Sequence, residues 1–175
     1  MNRIELATDI RAPREVCFDL ARDLDLHLRS MARSGEQAVA GRTTGLIGLG
    51  EEVTWRARHF GIHHHHTSRI TAFDRPSYFR DSMVAGRFKT FEHDHIFEAV
   101  DGGTRMRDIL LFESPLGILG RCVDRLVLAR YLTRLLEERN RVIRAAAERG
   151  AGRAGEQGDA PDEVRAGNEN RGPRR

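Results

Sequence analysis

Between Phe88 and Phe112 the 175-residue chain reads FKTFEHDHIFEAVDGGTRMRDILLF. His93 and His95 stand two residues apart in this stretch, and Asp108 follows thirteen residues after His95. An imidazole donates and accepts hydrogen bonds near neutral pH, and a carboxylate fixes its tautomer, so the group can orient a carbonyl or a phenol. Asp108 paired with His95 also has the make-up of a base acting on an acidic C–H, as a cyclase or aromatase requires. Positioning these side chains takes two antiparallel strands. Alternation puts Phe91, His93, His95 and Phe97 on one side of the first strand, and Gly102-Gly103 suits the centre of a tight hairpin turn. A turn centred there pairs Phe97 with Asp108, His95 with Leu110 and His93 with Phe112. A face that mixes aromatic, aliphatic and ionisable groups suits the wall of a semi-polar cavity better than a dry core.

The rest of the chain must supply the other walls. Ile4, Leu6, Thr8 and Ile10 alternate as a strand; Pro13 starts a helical run to about Met31, which Asp23 to Leu28 can break into two short helices. Gln37 to Arg42 is a weak strand, and Thr43 to Gly50 is a glycine-rich connection. That loop lacks the Gly-Lys-Ser/Thr ending of a phosphate cradle, and strand-like sequence follows it. Glu52 to Phe60 and Ile62 to Phe73 form two strands turning at Gly61, and Tyr78 to Ala85 forms another. From about Ile118 to Glu148 a broad stripe of Leu, Val and Ile marks a helix of roughly 45 Å, long enough to cross a sheet. Residues 150–175 are rich in Gly, Ala and charge and are expected to be disordered, leaving one domain over residues 1–149.

A net charge of +3 with acids interleaved among the arginines, and Lys89 as the sole lysine, argues against nucleic acid as a partner. Cys17 and Cys122 are flanked by apolar residues and read as buried free thiols. No apolar stretch reaches membrane-spanning length, and Met1 to Ile10 lacks a signal-peptide core, so a cytoplasmic location is expected.

At Gly86 to Gly120 the chain resembles the SRPBCC (START-like, polyketide cyclase/dehydrase-related) superfamily, in particular its small bacterial ligand-binding members. The residues that carry the resemblance are His93, His95 and Phe97; Gly102, Gly103 and Thr104; Asp108; and Pro115, Leu116, Gly117 and Gly120. Gly86-Arg87-Phe88 departs from the Gly-Pro-Phe often found there, a change expected to affect a turn rather than a pocket. The resemblance implies an α+β helix-grip fold: a curved antiparallel sheet of about seven strands, two short helices after the first strand, and a long C-terminal helix. It also implies an apolar ligand held between sheet and helix, while the superfamily spans binders and enzymes alike.

The expected function is therefore binding of a small hydrophobic molecule (a lipid, isoprenoid, polyketide or aromatic) without catalysis. Trp55, Phe79, Met83, Phe91 and Leu110 are expected to give apolar contact, and His59, His64, His66, Asp81, His93, His95 and Asp108 polar contact. Two other readings stay open: a cyclase or dehydratase using His95 and Asp108, and a closed-core protein whose histidines and carboxylates satisfy one another. His63 to His66 alternate between faces, two per face, short of a zinc site's usual ligand number unless His59 or His93 completes one across strands, and neither metal nor other cofactor is expected. Leu128, Tyr131 and Leu132 widen the helix stripe and leave room for a homodimer or membrane contact.

Overall fold

The computed structural model describes residues 1–59, 61–115 and 127–158. The alternating start forms β1 (Asn2–Ile10), and the run after Pro13 divides into α1 (Arg14–Ala21) and α2 (Leu24–Ser30). Asp23 makes the division. Its carboxylate accepts the backbone N–H groups of Asp25 and Leu26 at 2.9 and 3.0 Å, so a new helix begins there. Five strands follow: β2 (Gln37–Gly41), β3 (Glu52–His59), β4 (Ile62–Asp74), β5 (Tyr78–Ala85) and β6 (Thr90–Val100). β7 (Gly103–Glu113) and the long α3 (Ala129–Gly158) complete the described elements.

Among the described residues the strands make one seven-stranded sheet in the order β1-β7-β6-β5-β4-β3-β2, with every pairing antiparallel. The curved sheet, the two short helices and the long C-terminal helix are those of a helix-grip fold. The expected start of that helix, together with Cys122, Leu116, Gly117 and Gly120, lies outside the described residues. Its end differs from expectation. The backbone stays helical past Gly150 to Gly158, because Ala, Arg and Glu favour helix even where no apolar stripe requires it.

The hairpin register also needs correcting. His95 faces Asp108, His93 faces Leu110, Phe97 faces Met106 and Phe91 faces Phe112. The two-residue turn is Asp101-Gly102, with Gly102 at φ 76°, and Gly103 already belongs to β7. Gly103 is small for another reason: a Cβ there would lie 2.1 Å from the Ile10 carbonyl oxygen. Beside it the buried Thr104 hydroxyl donates to the Ala12 carbonyl at 2.8 Å. The Gly-Gly-Thr motif thus docks the hairpin onto the end of β1. Because the partners differ from expectation by two residues, every side chain keeps its expected face.

Two apolar clusters fill the interior. One gathers Phe18, Phe97, Met106, Ile143 and Ala147; the other gathers Ile4, Leu110, Phe112 and Leu136. Asp108 lies between Met106 and Leu110 on β7, and His95 beside Phe97 on β6, so a polar band separates the clusters. The glycine-rich loop folds back over the helix pair, with Leu24 N–H donating to Gly45 O at 3.0 Å and Ile47 N–H to Arg22 O at 3.1 Å. The Gly45 N–H is taken by the Asp25 carboxylate, which leaves it no role in holding a phosphate.

Candidate functional site

Three adjacent strands bring the polar band together. β5 supplies Asp81, β6 supplies His93 and His95, and β7 supplies Asp108, with Asp81 opposite His93 and Asp108 opposite His95. His93 Nε2 lies 3.0 Å from Asp108 Oδ1, and His93 Nδ1 lies 3.9 Å from Asp81 Oδ2. His95 Nε2 lies 3.3 Å from Asp81 Oδ2. Its Nδ1 is 2.9 Å from Asp108 Oδ1 but poorly aligned, and that buried nitrogen makes no hydrogen bond. The imidazole of His95 stacks on Phe79 at 4.2 Å and sits 3.8 Å from that of His93, which fixes both rings.

Asp108 is wholly buried. Asn140 Nδ2 donates to its Oδ2 at 2.7 Å, and Arg139 NH1 approaches Oδ1 at 3.4 Å. Arg139 also donates to the Ala21 carbonyl at 2.8 Å, tying α3 to α1. Burial pushes the Asp108 carboxyl up, but the His93 hydrogen bond and the close approach of His95 outweigh it and hold the group well below the carboxylate range. Asp81 is depressed in the same way, burial being overcome by the His95 hydrogen bond and by the charges of His93 and His95. For His93, burial and the neighbouring His95 lower the pKa and favour a neutral ring. A hydrogen-bonded chain continues outward from Asp81 through Ser68 to His66, at 3.4 and 3.0 Å.

A cavity of about 370 Å³ lies between this part of the sheet and the helices. Of the residues expected to touch a ligand, Trp55, His64, His66, Phe79, Asp81 and Phe91 line it, as do His93, His95 and Leu110. Met83 is not among the lining residues; a Cβ added at Gly86 would lie 2.5 Å from its sulfur. Asp108 stands behind the two histidines, so it acts on them and does not itself meet the cavity. The His59 side chain lies outside the described residues. His64 and His66 turn inward and are half-buried, whereas His63 and His65 are exposed, as alternation requires, although His65 also contributes to the cavity lining.

Strand patterning does not single out several residues of the site. Arg139 and Asn140 occupy the buried stripe of α3 between Leu136 and Ile143, and two polar residues at that helical spacing are the available signal. His27 stacks on Trp55 at 4.4 Å and bonds Glu36 at 3.0 Å; nothing in its local pattern marks it. Arg87 lines the cavity, so the departure at Gly86-Arg87-Phe88 reaches the pocket after all. Leu128, Tyr131 and Leu132 line it too, which accounts for the wide stripe.

No family model matches the sequence, and no curated protein matches it. Solved structures do match in fold. TTHA0849 from Thermus thermophilus is 22% identical, with a TM-score of 0.66 over 83% of this chain and 99% of that one. Ginseng major latex-like protein 151 from Panax ginseng is 16% identical, with a TM-score of 0.63 over 83% and 97%. A START superfamily protein from Mycobacterium smegmatis is 12% identical, with a TM-score of 0.62 over 84% and 97%. The chain therefore has the START-like, helix-grip fold. Among the described residues no helix is long and apolar enough to cross a membrane.

Proposed function

We propose that the protein binds a small, mainly apolar molecule between the sheet and α3, with the polar end of that molecule against Asp81, His93 and His95. The observation that carries this reading is the cavity itself. Its volume of about 370 Å³ falls in the range of small-molecule sites, and Trp55, Phe79, Phe91 and Leu110 surround a few convergent polar groups. A closed core would have filled that space with side chains. The buried free Cys17 thiol suits a reducing compartment, and we place the protein in the cytoplasm. Binding without turnover is the simpler reading, since Asp108, the carboxylate expected to act as a base, is screened from the cavity by the histidines and held well below the carboxylate range.

Native mass spectrometry of protein purified without a metal-affinity step, followed by organic extraction, tests the proposal. A stoichiometric apolar molecule released on denaturation is the expected result. If the protein arrives empty and fails to bind the apolar dye anilinonaphthalene sulfonate in its folded state, the reading fails.

A further inference from the structure

The geometry points to a divalent first-row transition-metal site formed by Asp81, His93 and His95, with Asp108 as the positioning residue behind both imidazoles. One carboxylate oxygen and one nitrogen from each ring lie within 4.8 Å of one another. All three residues line the cavity. The His95 Nε2 to Asp81 Oδ2 distance of 3.3 Å already matches the separation of about 3.4 Å between neighbouring ligands of a tetrahedral zinc ion, and His93 Nδ1 lies 3.9 Å from the same oxygen. Two histidines and one carboxylate leave coordination positions free on the cavity side, as in sites that accept an exogenous oxygen ligand.

The second nitrogen of each ring lies beside Asp108. Asp108 takes donors from Asn140 and Arg139, so it is an acceptor, and His93 Nε2–H donates to it at 3.0 Å. His93 Nδ1 then faces the Asp81 carboxylate at 3.9 Å. His95 likewise has a carboxylate near each nitrogen, 2.9 Å from Nδ1 and 3.3 Å from Nε2. A cation between His93 Nδ1, His95 Nε2 and Asp81 would leave the other nitrogen of each ring, His93 Nε2 and His95 Nδ1, beside Asp108. That is how a carboxylate behind a ligating histidine fixes its tautomer and raises its basicity. Charge agrees: Asp81 and Asp108 converge here, and among the described residues Arg139 is the arginine ion-paired with them.

The inference does not depend on a hydrophobic ligand filling the cavity. It is tested with Co²⁺ and Zn²⁺ alone, on the full chain with His63→Ala and His65→Ala introduced to remove the exposed histidine pair. One Co²⁺ per chain, with a visible absorption band, is expected. Asp81→Asn should weaken Zn²⁺ binding about 100-fold, and Asp108→Asn about 10- to 100-fold with a changed Co²⁺ spectrum. Circular dichroism confirms that each variant is folded. In the unmutated protein, ring ¹⁵N spectra should show Zn²⁺ on His93 Nδ1 and His95 Nε2. Loss of binding with His63→Ala and His65→Ala, undiminished affinity in Asp81→Asn, or rings that are doubly protonated and indifferent to Zn²⁺ would each overturn the assignment.

Discussion

Strand β6 carries ionisable side chains on both faces, and the two faces satisfy their carboxylates in different ways. Outside, Asp94 accepts the Tyr78 hydroxyl at 2.5 Å and Arg80 through Nε at 2.6 Å and NH2 at 2.9 Å. All of those donors are permanent, and the set is complete. Inside, one residue away in each direction, His93 and His95 stand between Asp81 and Asp108 with donors that depend on tautomer and protonation. A carboxylate that only has to hold a sheet together can be matched with arginine and tyrosine. A carboxylate beside a cavity and matched with histidine can exchange its partner for a ligand or a metal, and the inner face has that character.

The sharpest way to break this contrast is to remove the hub of the inner set. Asp108→Ala would leave His93, Arg139 and Asn140 buried without that acceptor, and should cost about 3–5 kcal/mol in urea denaturation. A loss under about 1 kcal/mol would mean that the inner groups rearrange as easily as surface ones. On the outer face, Asp94→Ala should cost only about 1–2 kcal/mol, because Arg80 can turn to solvent or to Glu92, which lies 3.8 Å from it. Ala57→Leu tests the third difference, that the inner face borders space. Ala57 lines the cavity, so the added atoms should reduce anilinonaphthalene sulfonate binding about tenfold or more while stability stays within about 1 kcal/mol. A larger loss of stability would show that the cavity is already filled there.

Which of these features the sequence reveals follows from period and distance. Strand alternation has a period of two, so the inward set of His93, His95 and Asp108 is legible even though the glycine pair puts the turn one residue late. That pair misleads because only Gly102 serves the turn, while Gly103 makes room for β1, a neighbour about a hundred residues away that no local pattern exposes. Met83 shares the inward alternation but leaves the lining, where β4 and β5 shift register between Thr67 and Ser68. His27 and Arg139 reach the site from helices, and their contribution rests on packing that a strand-centred reading does not contain.

The smallest effect bears on the outer face alone. Burial pushes the Asp94 carboxyl up, but the Arg80 and Tyr78 hydrogen bonds pull it down further, below its ordinary range in the folded protein. Tyr78 is raised by burial and by Asp94, and Arg80 is raised by its hydrogen bond to Asp94, so both remain donors and Asp94 alone titrates in acid. With a folded pKa below the unfolded one, its contribution is complete above about pH 4 and is lost as pH falls through the folded value. Between about pH 5 and pH 2 the wild type should therefore lose up to about 1 kcal/mol more than Arg80→Met, read from urea midpoints at each pH. Parallel curves would mean that the arginine contributes nothing through charge, and the two faces of β6 would then differ in what they border rather than in how their carboxylates are held.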